Sequence, residues 1–444
     1  MKKAILWLLT VSLIIGMVSV FSLAGCKAEE EAAPAEEEAA PAEEEAAPAE
    51  EEAEEGKPIN IGVLATLLGA FAQLGEDSVD GVKLAFEEVN YTIAGRPVKL
   101  FVEETDATPD MAVDRMRSAV TRNGCQIVLG PLSGAEGLAI KTSADEWPDT
   151  TIIVSASASE DITMRGIKPN VWRSSFTGGQ PMFPFGVWMY EQGYKRIVTI
   201  GEDYEYPYSQ VGGLLKIFTE SGGEVAEKYW VPIGTSDYSS IIADIPRDID
   251  AIFTTLSGSD IVNFLTQMEK FGLSAGIPIL GGTTSLDAGT VTTLGESLDG
   301  VVSGSIWTDK IDRPGFKSLY ERYYTLRKRP PGLFTGLYYR SAQFAIKAIE
   351  AVNGNVEDQE AFRAALQETA FEGAVSYVSF DEYHQCIMDV FINQVKFIDG
   401  EWINVPIKIY PQVSQFWTYD PEEYQKGPSF TRESIDILFP STSK

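Results

Sequence analysis

The sequence is short of histidine, cysteine and positive charge. Of its 444 residues only His384 is a histidine, which removes most His-based acid–base chemistry and most metal sites at once. Lys and Arg number 35 against 65 Asp and Glu, a net charge of -30. An acidic excess of that size repels nucleic-acid phosphates and excludes DNA or RNA as a partner. There is no G-x-x-x-x-G-K-[ST] phosphate loop and no G-x-G-x-x-G after a strand pattern. No G-x-S-x-G is present either, because Gly130-Pro131-Leu132-Ser133-Gly134 has the wrong spacing for a nucleophile elbow. His384 sits in Asp-Glu-Tyr-His-Gln, a composition that predicts an exposed turn. Glu202-Asp203 has the chemistry for acid–base work, but at a strand end it reads first as a solvated or capping pair. No metal, no cofactor and no enzymatic activity are expected.

What is present begins with an address. Lys2 and Lys3 precede an uncharged, mostly apolar run over 4–25 that ends Leu23-Ala24-Gly25-Cys26. Its length suits a membrane anchor, and its small residues suit a cleaved secretory signal. Leu-Ala-Gly-Cys resembles the bacterial lipobox, so 1–25 is expected to be a lipoprotein signal peptide with Cys26 the lipidated first residue. Lys27, where inner-membrane retention would favour Asp, leans against that location. Residues 29–49 read EEEAAPA three times, and a decayed copy runs to Gly56. The seven-residue period is no coiled coil, since it has no large apolar position and Pro34, Pro41 and Pro48 interrupt any helix. Residues 26–57 therefore read as an acidic tether, able to reach on the order of 95 Å at about 3.1 Å per residue. Cys125 and Cys386 remain, as two buried thiols or, less favoured, a disulfide.

After Pro58 the pattern alternates. Strands are predicted at 59–64, 98–102, 127–129 and 152–154, with helices at 76–90 and 109–122. The rhythm restarts after about 180, with strands at 197–200, 225–231, 251–253 and 277–280 and helices at 209–221, 259–271 and 337–352. The fold class is α/β, two doubly wound parallel-sheet lobes, and ligands then belong at the carboxyl ends of the strands. Those loops hold small hydroxyl residues, glycines and aromatics: Phe71; Ser133-Gly134; Ser155 to Ser159; Tyr204, Tyr206 and Tyr208; and Trp307. Helix N-termini among such residues bind carboxylates without a cation, and the same residues also serve as plain helix caps.

Ile61 to Glu76 (IGVLATLLGAFAQLGE), Gly81 to Asn90, Gly95-Arg96-Pro97-Val98, Ile127 to Ser133, Ser155 to Ser159 with Ile162-Thr163, and Glu202 to Pro207 form an ordered set. The set closely resembles branched-chain amino acid (Leu/Ile/Val-type) substrate-binding proteins of ABC transporters, over about 59–400. The resemblance implies a type I periplasmic binding protein: two lobes joined by three crossover segments that close on a ligand. Lobe 1 would be 58–175 with 305–375, lobe 2 176–304 with 376–400, and 401–444 a C-terminal extension wrapping over both. It implies that Ser133, Gly134, Ala135, Ser157 and Ser159 hold a ligand carboxylate and that Tyr206 closes from the other lobe. Phe71, Thr283 and Trp307 complete the expected ligand-binding set. Where the family's amino-acid binders carry an acid for the ammonium, this chain has Gly281-Gly282-Thr283-Thr284-Ser285. Either Asp287 is displaced into that role or the ligand lacks an amino group, and the second is preferred. The expected partners are a small carboxylate-bearing molecule, an ABC permease and, through the lipid, a bacterial membrane at the periplasm or cell surface. The protein is expected to be a monomer. A sensory binding module with the same pocket is the alternative, and a secreted hydrolase the remote one.

Overall fold

The computed structural model describes residues 56–272 and 276–443. The signal segment 1–25, Cys26 and nearly all of the tether lie outside them. Among the described residues, no helix is long and apolar enough to cross a membrane.

The first lobe is built on six strands: β1 (Ile59–Thr66), β2 (Thr92–Ile93), β3 (Arg96–Thr105), β4 (Ile127–Leu129), β5 (Thr151–Val154) and β6 (Val171–Arg173). Their order is β2-β3-β1-β4-β5-β6, and all neighbours but β2 and β3 run parallel. β1 is apolar on both faces because helices cover both. α1 (Ala72–Glu88) follows β1, α2 (Pro109–Arg117) runs on through a π-type turn at Ser118–Arg122, and α3 (Gly134–Ser143) follows β4. The chain then crosses once and α4 (Met182–Glu191) opens the second lobe.

The second lobe holds β7 (Arg196–Glu202), α5 (Glu205–Glu220), β8 (Glu224–Val231), α6 (Ser239–Asp244), β9 (Ala251–Thr254), α7 (Gly258–Lys270), β10 (Ile279–Gly281), α8 (Ala288–Leu294) and β11 (Val302–Ser305). The chain crosses again to α9 (Pro314–Arg327), α10 (Leu333–Ala351) and α11 (Gln359–Gln367), whose apolar faces join the core under β1. α1 and α10 touch backbone to backbone at Gly81, where a Cβ would strike the Thr335 carbonyl. The third crossing leads through β12 (Phe371–Glu372) and β13 (Tyr377–Phe380) to a long hairpin, β14 (Cys386–Ile398) and β15 (Glu401–Val413). The second sheet is ordered β12-β13-β14-β11-β10-β9-β7-β8 with β15 beside β14. It is parallel from β8 to β11 and antiparallel beyond, so it is a mixed sheet rather than the fully parallel one the strand–helix rhythm suggested.

The crossovers are stitched together. Arg173, fully buried at the end of β6, donates to Gln385 Oε1 (2.5 Å) and Thr163 Oγ1 (2.6 Å), and Gln385 donates to the Ser175 carbonyl (2.6 Å). Both hydrogen-bonding faces of that guanidinium are used, which is what lets an Arg sit in the interior.

Two sequence expectations change. Residues 401–413 are not the start of an extension but a strand of the second sheet, because β14 is as long as β15 and offers it a full edge. The rest of the tail does touch both lobes. Arg165 donates to the carbonyls of Gln425 (3.2 Å) and Gly427 (3.0 Å), while Phe430, Ile435 and Phe439 join the second lobe's core. His384 is half-buried, stacked on Trp172 (4.0 Å between centroids), with Nδ1 donating to the Val171 carbonyl at 3.0 Å. Desolvation lowers its pKa. Cys125 and Cys386 are free and buried, and burial pushes each thiol up to about 12.

Candidate functional site

In each sheet the chain reverses its winding direction beside the first strand: between β1 and β4 in the first, between β7 and β9 in the second. Loops diverge there and leave a crevice at the carboxyl ends. The two crevices face one another across a cavity of about 360 Å³, lined from both lobes. That is within the range of small-molecule sites. Two other depressions, of about 410 and 760 Å³, lie at the amino ends of β10 and β11 and between Lys310–Glu321 and Ile398–Ile403. Neither lies at a switch point.

The first lobe's wall is apolar with one polar edge. Phe71, Leu74, Leu132, Ala156, Ala158 and Phe334 supply the surface, joined by Phe176 of the first crossing, and Gln73, Ser133 and Gly134 the edge. Ser133 caps α3: its Oγ accepts from Glu136 N (3.2 Å), and Glu136 Oε2 accepts from Ser133 N (2.8 Å). Its hydroxyl proton goes to the Ala107 carbonyl at 3.0 Å. The Ser133 side chain is therefore spent. What remains for an anion is the first turn of α3, where the N–H groups of Gly134 and Ala135 have no intrahelical acceptor. A Cβ on Gly134 would strike the Ser159 hydroxyl, so only glycine lets the turn sit this close to the loop behind it.

That loop is where the residue-by-residue expectation and the structure part. Ser157 points away from the cavity and donates to the Ser133 carbonyl (2.5 Å) and to the Pro131 carbonyl (3.2 Å). Ser159 lies behind Gly134. Ala156 and Ala158, the residues between, face the cavity instead. Ser157 and Ser159 thus brace the start of α3 rather than line the site.

The second lobe's wall is polar and acidic. It comprises Glu202, Tyr204, Tyr206, Ile233, Gly234, Ser257 to Asp260, Thr284 and Asp287. Tyr206 is buried, its hydroxyl accepts from Gln210 Nε2 (2.9 Å), and its ring meets Phe176 of the first crossing edge-on at 6.2 Å and joins the first lobe's core, so it spans the cleft. Gln210 Oε1 in turn accepts from Thr283 N at 3.3 Å. Thr283 itself is buried, donates to the Gly304 carbonyl (3.2 Å) and lies outside the cavity, which Thr284 lines. Trp307 is also outside, packed on Phe316 with its indole N–H donating to Asp309 Oδ1 (3.2 Å). Of the expected residues, then, Phe71, Ser133, Gly134 and Tyr206 line one cavity. Ala135, Ser157 and Ser159 stand at or behind its edge, and Thr283 and Trp307 stand apart.

Glu202 was missed as a lining residue. It is not solvated: only 2% of it is exposed. Oε1 accepts from Ser257 N (2.8 Å) and Ser257 Oγ (3.1 Å), while Oε2 has no partner. Desolvation pushes its carboxyl up to about 7, with Asp260 adding repulsion. Asp287 caps α8, its Oδ1 accepting from Thr290 N at 2.7 Å. Among the described lining residues there are three carboxyls and no Lys, Arg or His.

This geometry can be set beside known proteins. The periplasmic binding protein family matches residues 58–401. The chain belongs to that family. It is 24% identical over 362 residues to Leu/Ile/Val-binding protein homolog 6 of Brucella melitensis, covering 79% of this chain and 91% of that one. An ABC transporter substrate-binding protein from Sphaerobacter thermophilus superposes with a TM-score of 0.78 at 27% identity, over 81% of this chain and 99% of its own. A solute-binding protein of an ABC transporter from Rhodopseudomonas palustris, in complex with 3,4-dihydroxybenzoic acid, has a TM-score of 0.75 at 23% identity, over 81% and 98%. As a periplasmic binding protein the chain is a solute-binding protein of the ABC transporter type, with an extracytoplasmic place of work. The cavity presents donors, carboxyls and apolar surface, and the relatives are substrate- or solute-binding proteins of transporters.

Proposed function

We propose that this protein captures a small carboxylate-bearing solute between its lobes and hands it to the permease of an ABC transporter. The observation that carries the reading is the single cavity where the switch points of both sheets meet, edged by the open first turn of α3. The ligand's carboxylate would rest on the N–H groups of Gly134 and Ala135, with Phe71 and Tyr206 enclosing its body. Lobe 1 is taken as 58–175 with 305–375 and lobe 2 as 176–304 with 376–400, to which β15 adds 401–413. The lobes rotate about the stitched crossovers, and the closed shape is what the permease reads. The chain works as a monomer held to a bacterial membrane, at the periplasm or cell surface, by lipid on Cys26, with the acidic tether giving it reach. Ligands named for the relatives, branched-chain amino acids and a hydroxylated benzoic acid, define the candidates.

A thermal-shift panel of amino acids, amides and aromatic and aliphatic carboxylates tests this. Ligand at 100-fold its Kd adds about 2.7 kcal/mol to the folded state, a readable shift. A shift with at least one carboxylate-bearing compound is expected. Its absence in protein stripped of any bound molecule by unfolding and refolding would contradict the reading. Palmitate labelling that persists in Cys26→Ala would remove the lipid anchor.

A further inference from the structure

Resting on the solute-receptor reading, the geometry points to Glu202 as the anchor for a protonated amine, so that the solute is a zwitterion whose carboxylate sits at the start of α3. Three observations carry this. Glu202 Oε2 is a carboxyl oxygen buried in the cavity wall and left without any hydrogen-bond partner. A buried acceptor left open costs free energy unless a ligand fills it. Of the other two carboxyls of the cavity, Asp260 accepts on both oxygens, from Gly234 N (2.8 Å) and Ser259 Oγ (3.3 Å), and Asp287 is committed through Oδ1 to the cap of α8, so Glu202 alone of the three has an open oxygen that is also buried. Charge balance points the same way. A helix N-terminus offers roughly half a positive charge, against a cavity with three carboxyls and no cation among its described lining residues. A solute carrying only a carboxylate adds to that excess. A zwitterion adds nothing net and places its positive end against it. The acid that the loop after β10 lacks is thus supplied from the end of β7, which reverses the preference for an amine-free ligand drawn from Gly281 to Ser285.

The site is pH-sensitive in a definite direction. Asp260 on α7 and the hydroxyls of Tyr204, Tyr206 and Tyr238 are the titratable groups that face Glu202, and none is a cation. Desolvation keeps the empty site's carboxyl protonated up to about 7. An ammonium requires it ionised, so binding expels a proton below that pH and affinity falls by up to about tenfold per unit.

Isothermal titration with matched pairs tests this, using L-phenylalanine against 3-phenylpropanoate and L-leucine against 4-methylpentanoate, at pH 8 and pH 5.5. Each pair differs by the amine alone. The amine-bearing member is expected to bind at least about tenfold tighter at pH 8, in line with a charged hydrogen bond, and to lose most of that advantage at pH 5.5. In Glu202→Gln, which keeps an acceptor for Ser257, the advantage disappears at both values. Amine-free acids that bind as tightly as their partners, or an amine advantage that survives Glu202→Gln, overturn the inference. If that variant does not fold, the pH dependence of the wild-type pairs decides. If neither pair binds, the molecule that copurifies with the protein, released by unfolding and identified by mass spectrometry, decides by whether it carries an amine. Binding of acids alone leaves the receptor reading standing, whereas no bound molecule of any kind ends both.

Discussion

The two walls of the cleft differ in what they ask of a ligand. The first lobe, with Phe176 of the first crossing beside it, offers Phe71, Leu74, Leu132 and Phe334, with Gln73 and the open N–H groups of one helix turn as its polar features. The second offers Glu202, Asp260, Asp287, Thr284 and two tyrosines. One wall rewards apolar surface and a carboxylate, and the other rewards donors and positive charge. Neither wall alone encloses a solute, so affinity depends on bringing both together, and a ligand that satisfies both is the one that holds the lobes shut.

The largest effect expected is on the first wall. Gly134→Leu drives a side chain into Ser159 and displaces the first turn of α3. Carboxylate binding should fall by about 100-fold or more, the worth of charged hydrogen bonds lost, by titration calorimetry. Unchanged affinity would show that the anion site lies elsewhere. Next is the span between the walls. Tyr206→Ala removes the ring that meets Phe176 and should cost roughly 10- to 100-fold in affinity, whereas Tyr206→Phe, which keeps the ring, should cost only about threefold. Equal losses in the two variants would make the hydroxyl, not the ring, the closing element.

A third prediction concerns the second wall without ligand. Glu202 keeps its proton up to about 7 when folded, against an ordinary 4.5. While protonated the group does not oppose folding, and the cost of ionising it in a dry site appears as pH rises from about 4.5 through 7. Glu202→Gln should therefore melt about 2 °C or more above wild type at pH 8 and equal it near pH 5, by calorimetry. Glu160, also pushed up to about 7, and Asp381, to about 6, titrate in both proteins and cancel in the difference. A variant that melts lower at pH 8 would mean that the carboxylate is stabilised there. The smallest effect is behind the first wall: Ser157→Ala should lose about 1 kcal/mol of stability and leave affinity within roughly threefold. A larger loss of affinity would return Ser157 to the ligand shell.

The lobes were legible because parallel strands buried on both faces read as unbroken apolar runs, as at Ile61 to Ala65 and Ile152 to Val154. The 386–413 hairpin was less so, since β15 alternates exposed Ile407 and Ile409 with polar residues at a sheet edge and gives no such run. At the site, sequence identified the right loops and often the wrong residue within them. Past a strand end the side-chain alternation depends on local backbone turns, so Ala156 rather than Ser157, and Thr284 rather than Thr283, face the cavity. Glu202 looked solvated because what buries it, the Ser257 end of α7, arrives 55 residues later in the chain.

Small-angle scattering tests the clamp most directly. Stripped protein would be compared with the same protein saturated by whichever compound gives the largest thermal shift. A smaller radius of gyration is expected in the bound state, as the two walls close. A tight-binding ligand that leaves the scattering profile unchanged would contradict a site made by closing lobes.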